Sequence, residues 1–241
     1  MNIYQHYSFD LWLTLIKSNP LFKQERTRFF FEHFNHRDKT IAEVGTIFRQ
    51  VDLMCNAINE KTGGNIDAEE MYLMVISKMN DHRYSFHDLD LAELYQEMEK
   101  LVLQYPPTRY CSATLPVLQQ LKATAGSTFS LLSNTAFIKG RTLRLVLQQL
   151  ELAPFFDFQL YSDETGMSKP NEKMFRLMLD TAAANRSTSI TDLNKVIHIG
   201  DNIRADIDGA HRAGIRTLLI NSNHTCISSL LTDDNDHLFI V

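Results

Sequence analysis

Asp10 and Thr14 stand in FDLWLTL, Ser133 and Asn134 in LLSNT, Lys169 in GMSKP, and Asp201 and Asp206 in GDNIRAD. Together these side chains hold what transfer of a phosphoryl group needs. A carboxylate can attack phosphorus and form an aspartyl phosphate, and Asp10 is the candidate. A hydroxyl and the backbone N–H groups at a helix start can hold the phosphoryl oxygens, which suits Ser133 and Asn134. The ammonium of Lys169, fixed ahead of Pro170, can neutralise charge on nucleophile and phosphate alike. Asp201 and Asp206 can supply the oxygen ligands that Mg2+ prefers. Singly, Asp10 could equally be a turn residue, Lys169 a surface charge and Asp201 a helix cap. Only their convergence would make a site.

That convergence requires a particular scaffold. Strand-length apolar runs rich in branched and aromatic residues lie at residues 3–9, 128–133, 158–162, 195–200, 216–221 and 237–241. From Ala113 onward they alternate with the helical patterns LPVLQQLKATA, IKGRTLRLVLQQLEL, NEKMFRLMLDTAAA and IRADIDGAHRAG. The alternation predicts right-handed βαβ units in an α/β fold, with a doubly wound parallel sheet. In such a sheet ligands gather at the carboxyl ends of the strands, where all four stretches fall. Residues 19–107 differ: they show no convincing strand but several amphipathic helical stretches, such as ERTRFFFEHF, IAEVGTIFRQVDLMCNAINEKTGG and LAELYQEMEKLVLQY. An all-helical insertion after the first strand is expected, with residues 1–18 and 108–241 forming the sheet domain. The Phe29–Phe31 run and Phe155-Phe156 are expected to be core packing.

Composition narrows the partners. With 241 residues, 44% of them hydrophobic, the chain can bury a large core, and its 29 acidic and 24 basic residues are well mixed. Nucleic acid is therefore an unexpected partner. No apolar run approaches the roughly 20 residues that span a bilayer, and the N-terminus lacks a basic flank followed by an apolar segment. A cytoplasmic monomer or homodimer with no membrane partner is expected. Cys55, Cys111 and Cys226 are too few and too widely spaced for a disulfide framework or a metal knuckle, and should be reduced, mostly buried thiols. The histidines do not pair at metal-ligand spacing; His33 and His36 suit a solvated helix end.

The four stretches, in this order and each after its own element, resemble the motifs of the haloacid dehalogenase-like (HAD) hydrolase superfamily. FDLWLTL stands for its hydrophobic-Asp-x-Asp-x-Thr motif, LLSNT for its Ser/Thr motif, GMSKP for its Lys motif and IGDNIRAD for its acidic motif. IDGAHRAGI is similar to the helix and Ala-Gly turn that follow the acidic motif, and residues 19–107 resemble a helical cap inserted after motif one. The resemblance implies a Rossmann-like core, catalytic Asp10 and Lys169, phosphate binding by Thr14, Ser133 and Asn134, and Mg2+ held by Asp10, Asp201, Asp206 and the backbone carbonyl of Trp12. It also implies a small-molecule phosphorylated substrate, since a cap shields the site from water and large partners.

Trp12 departs from that pattern. Family phosphatases have a second aspartate there, acting as general acid to the leaving group and then as general base to the hydrolytic water. Indole is a donor only and can do neither. Loss of a positioned acid/base typically removes roughly 10²–10⁴ in rate. The leading expectation is a Mg2+-dependent phosphatase or phosphotransferase with an altered acid/base. One alternative is a 2-haloacid dehalogenase-type hydrolase, since those enzymes carry an aromatic residue at the position of Trp12; retention of Asp201 argues against it. Another is a catalytically weak regulatory or binding protein on the same fold.

Overall fold

A computed structural model describes residues 4–123, 126–185 and 192–231. Five strands, β1 (His6–Phe9), β4 (Thr128–Ser133), β5 (Phe158–Tyr161), β6 (Val196–Gly200) and β7 (Arg216–Leu219), form a parallel sheet in the order β5-β4-β1-β6-β7. β1 is central, pairing Phe9 with Leu131 of β4 on one side and with Ile199 of β6 on the other. Both faces are covered, so β1 and β6 are buried along their whole length and their polar members must find partners inside. His6 bonds the hydroxyls of Thr128 and Ser130, both at 2.8 Å. Ser8 bonds His198 across the β1–β6 ladder at 2.9 Å.

The flanking helices follow the sequence patterns: α5 (Thr114–Ala123), α6 (Gly140–Gln149) and α8 (Glu172–Ala184), with a single turn α7 (Ser162–Thr165) after β5. The pattern IRADIDGAHRAG is not one uniform helix. A π-helical turn covers Ile203–Asp208 before α9 (Gly209–Arg212). The wider turn brings the Asp206 side chain back beneath Gly200, where any Cβ would collide with its carboxyl group. The strand expected at 237–241 lies outside the described residues.

Four helices fill the stretch between β1 and β4: α1 (Pro20–Phe34), α2 (Ile41–Thr62), α3 (Ala68–Met79) and α4 (Leu91–Gln104). Asn19 caps α1, with Pro20 at its first position. Thr40 and Glu43 form a capping box on α2, which ends in a left-handed Gly63. α3 carries no polar face in its middle, MYLMVIS, and so lacks the periodicity that marks its neighbours. The helices enclose a core of their own, built on Phe30, Phe48, Met71, Tyr72, Val75, Tyr95 and Met98, which also takes in Phe137 from the loop after β4. The phenylalanine runs are packing residues, with Phe30 and Phe156 buried and Phe29, Phe31 and Phe155 half-buried. A short antiparallel pair, β2 (Ile16–Lys17) with β3 (Thr108–Arg109), holds together the two chain crossings into and out of the helices.

The three cysteines are free; Cys55 is buried, Cys111 half-buried and Cys226 exposed, the last contrary to expectation. Among the described residues no helix is long and apolar enough to cross a membrane.

Candidate active site

β1, β4 and β6 end side by side, and the residues following them converge. Asp10 leaves β1 with its backbone N–H donating to Ile199 O at 2.8 Å, which holds it in register with β6. Lys169 reaches the same point from the loop before α8. Its Nζ donates to Asp10 Oδ1 and to Asp206 Oδ1, both at 2.6 Å, with the side chain 1% exposed.

The loop carrying Lys169 is pinned by Asn134. The Asn134 amide donates to Lys169 O at 2.9 Å and its oxygen accepts from Lys169 N at 2.7 Å. That side chain is therefore spent on aiming the lysine, and only the backbone of Asn134 could meet a phosphoryl oxygen. Ser133 is buried, its hydroxyl donating to Asn134 O at 3.1 Å. Thr14 is buried, and its hydroxyl makes no well-formed hydrogen bond but lies near enough to Asp10 to favour that carboxylate slightly. Ser168, beside the lysine, also has a buried hydroxyl without a partner.

Asp206 is held from three sides. Asn202 N donates to its Oδ2 at 3.0 Å, Lys169 donates to Oδ1, and His198 Nε2 lies 3.2 Å from Oδ1. Burial depresses the His198 pKa, so the ring is neutral. Because a carboxylate only accepts, Nε2 carries the hydrogen and Nδ1 accepts from Ser8. His198 was not among the site residues expected from sequence, although a histidine inside the apolar strand VIHIG was the available signal. Ser162, Thr135 and Asn65 were also not anticipated: the Ser162 hydroxyl accepts from Thr135 N at 2.8 Å and donates to Asn65 Oδ1 at 2.7 Å, linking α7 to the helical segment.

Charge at this point is unbalanced. One carboxylate oxygen each from Asp10, Asp201 and Asp206 lies within 4.8 Å of the others, against the single ammonium of Lys169. Burial pushes the Asp10 carboxyl up to about 6, with Lys169 opposing the rise and Asp206 adding to it. Burial, then the charges of Asp10 and Asp206, push Asp201 up to about 7. Burial acts on Asp206 in the same direction, but Lys169 and the His198 hydrogen bond outweigh it and hold that carboxyl well below the usual range. Lys169 is raised in turn, its burial outweighed by the two aspartates. Three convergent oxygen donors with surplus negative charge fit a hard divalent cation such as Mg2+. Trp12 offers no ligand through its side chain, which is half-buried against the sheet core; only its carbonyl could serve. Leu13 beside it takes a left-handed backbone with φ 59°.

The helical segment sits directly on these loops. Gly63 O accepts from Ser168 N and from the Asn171 side chain, each at 3.0 Å. Glu60 accepts from the Asn202 side chain at 3.1 Å. Tyr72 donates to Phe137 O at 2.9 Å, and Glu69 pairs with Lys139.

Residues 7–220 match the family model described as haloacid dehalogenase-like hydrolase. The chain belongs to the haloacid dehalogenase-like hydrolase family. Among curated relatives, a pyrimidine 5′-nucleotidase of Escherichia coli (strain K12) is 33% identical over 78 residues, 32% of each chain. A ribulose-1,5-bisphosphate 5-phosphatase of Halopiger xanaduensis is 27% identical over 167 residues, 68% of this chain and 63% of the relative. The chain thus spans under two thirds of each of these relatives. A magnesium-bound HAD hydrolase of Bacillus subtilis superposes with a TM-score of 0.66 at 18% identity, covering 92% of this chain and 91% of that one. A 2-haloacid dehalogenase of Pseudomonas syringae gives 0.61 at 19% identity, over 93% and 89%. At these identities the two structures speak for the HAD fold alone.

Proposed function

We propose that this HAD-family chain is a Mg2+-dependent phosphatase or phosphotransferase acting on a small phosphorylated metabolite through an Asp10 phosphoenzyme. The observation that carries this is Lys169 Nζ, shared at 2.6 Å between Asp10 and Asp206 while a third carboxylate, Asp201, remains unneutralised beside them. Attack at phosphorus brings an anionic group to a carboxylate and needs more positive charge than one lysine supplies, which a cation drawn to the surplus of carboxylates would provide. Attack at a carbon–halogen bond does not, which places the dehalogenase alternative second.

Residues 19–107 act in this proposal as a cap, and the contacts of Glu60, Gly63 and Asn65 with the strand-end loops shut water from Asp10, itself 6% exposed. A cytoplasmic location fits the three free thiols.

Asp10 attacks phosphorus, and the bond from phosphorus to the leaving oxygen breaks as the aspartyl phosphate forms. Lys169 holds the Asp10 carboxylate in place and offsets the charge gathering on the phosphoryl oxygens. Mg2+, held by Asp10, Asp201 and Asp206 with the Trp12 carbonyl, would supply further neutralisation of those oxygens. The indole of Trp12 gives the leaving oxygen no proton, so substrates whose leaving groups depart as stable anions are favoured. In the second half, water attacks phosphorus, the bond from phosphorus to the Asp10 oxygen breaks, and inorganic phosphate leaves carrying the water's proton, since nothing at position 12 takes it first. The second step is therefore the slower one.

Incubation with an activated aryl phosphate and Mg2+, followed by intact-mass measurement, should show one phosphoryl group on the wild type and none on Asp10→Asn. Trp12→Asp should speed turnover of alkyl phosphates by up to roughly 10²–10⁴. No adduct in the wild type, together with no gain in a folded Trp12→Asp, would count against the proposal and favour the binding-protein or dehalogenase alternatives.

A further inference from the structure

Two of the three thiols meet, although they lie far apart in sequence. The exposed Cys226 side chain hydrogen-bonds that of the half-buried Cys111. Packing fixes the two segments against one another. Cys111 precedes α5, Cys226 precedes a 3₁₀ turn at Ile227–Leu231, and Ile227 and Leu230 share one apolar cluster with Val117, Leu118 and Leu121 of α5. Cys111 Sγ lies 3.7 Å from Thr114 Oγ1, which also accepts from Cys111 N at 3.4 Å. Hydrogen bonds from the Ser228 hydroxyl and backbone N–H favour the Cys226 thiolate and hold that thiol below its ordinary range. Cys55 is the opposite case: burial pushes it up to about 11, and its thiol donates to Met74 Sδ at 3.6 Å. An accessible thiol with thiolate character beside a second thiol is what oxidation converts to a disulfide.

The same two segments hold the turn that follows Asp10. On one side, the Asn221 amide donates to Leu13 O at 2.7 Å and to Thr14 O at 3.3 Å. Asn221 N donates in turn to Thr225 O at 2.8 Å, which fastens the neighbour of Cys226 into the same loop. On the other side, Tyr110, next to Cys111, donates its backbone N–H to Leu15 O at 2.8 Å and extends the β2–β3 pairing. Residues 13–15 therefore hang between the two cysteine-bearing segments.

We infer that Cys111 and Cys226 form a redox site: a hydroperoxide oxidises Cys226, Cys111 resolves it, and the resulting disulfide clamps the turn after Asp10. The Cys226 sulfur attacks one peroxide oxygen, the O–O bond breaks, and Cys226 becomes a sulfenic acid while the other oxygen leaves protonated, as water when the oxidant is hydrogen peroxide. The Cys111 sulfur then attacks the Cys226 sulfur, the S–O bond breaks, and the hydroxyl departs as water with the Cys111 proton. The sulfurs together lose two electrons and the peroxide gains them. A dithiol reverses the link by exchange. The thiol chemistry is independent of the reaction at Asp10.

Treating the reduced chain with hydrogen peroxide should remove both thiol hydrogens from its intact mass and leave Cys55 alone to take iodoacetamide after denaturation. Peptide mapping should place the link between Cys111 and Cys226, and dithiothreitol should reopen it. Cys55→Ser should behave as the wild type. Cys111→Ser should form no internal link and should instead let dimedone capture a sulfenic acid on Cys226, whereas Cys226→Ser should show neither in the time the wild type closes. Hydrogen exchange at the amides of residues 13–16 should slow several-fold in the oxidised wild type and stay unchanged in peroxide-treated Cys226→Ser. A link between chains, a link to Cys55, or Cys111 and Cys226 both still free after treatment would overturn the inference. A Cys111–Cys226 disulfide with unaltered exchange at residues 13–16 would overturn the clamp.

Discussion

At the carboxyl edge of the sheet, Lys169 is buried between two carboxylates, one of them also bonded by His198 and Asn202. In the helical segment, Arg26 is buried among phenylalanine rings with nothing to neutralise it. The first region carries too much negative charge for its one lysine, the second a positive charge with no anion. The first imbalance points towards a bound cation, while the second is met by ring faces alone. The contrast is between a buried cation held by ion pairs and one held by ring faces alone.

The sharpest test of that contrast is Lys169→Met. Removing one partner of a buried ion pair leaves the other stranded, and metal-free protein at pH 8 should lose about 3–5 kcal/mol in urea unfolding. The loss should shrink at pH 5, where the aspartates can take up protons instead. An effect under about 1 kcal/mol at pH 8 would mean that the lysine is not what holds the site together.

The next effect follows from the raised carboxyls. Asp10 near 6 and Asp201 near 7 hold protons in the folded chain that the unfolded chain has released. Their contribution to stability is complete below about pH 4 and is lost as pH rises through 6 to 7. Asp206, held low, acts in the opposite sense and only in acid. Metal-free protein should therefore be less stable at pH 8 than at pH 5 by roughly 2 kcal/mol, a figure kept small because Asp201 is partly open to water. Mg2+ should restore that stability at pH 8 and do little at pH 5. Urea midpoints in chelator and in Mg2+ at both pH values check this, and equal stabilisation by Mg2+ at both would remove Asp201 from the metal site.

Arg26→Met should show the smallest change in stability, near zero or slightly stabilising, because it removes a charge that has no partner and leaves an apolar side chain among rings. Thermal unfolding measures it. A loss as large as that of Lys169→Met would show that the cation–π stack is structural and would erase the difference between the two regions.

The four motif stretches were legible because each combines a strand end with a short run of chemically committed residues, and their order matches the family. The helices at residues 25–34, 41–64 and 91–105 were legible through amphipathic spacing. α3 was not, because MYLMVIS is apolar on every face and loses its period. His198 escaped notice because one polar residue in a buried strand has no sequence partner; its partners, Ser8 and Asp206, come from different elements. Arg26 gave no signal at all, since ERTRFFFEHF reads as an ordinary amphipathic helix with its charges in water.

The residue order by itself determined the parallel α/β scaffold, the family and the presence of an aspartate, a lysine and an acidic pair at strand ends, because alternation and motif spacing are local properties. Only the tertiary structure decided which charges neutralise one another. Lys169 is shared between Asp10 and Asp206 because β1 and β6 are neighbours and the loop before α8 is pinned by Asn134. Arg26 is left alone because α1 folds it against Phe48 and Phe137, far from it in sequence. Electrostatic energy depends on distance and on the solvent removed from around a charge, and neither is written along the chain.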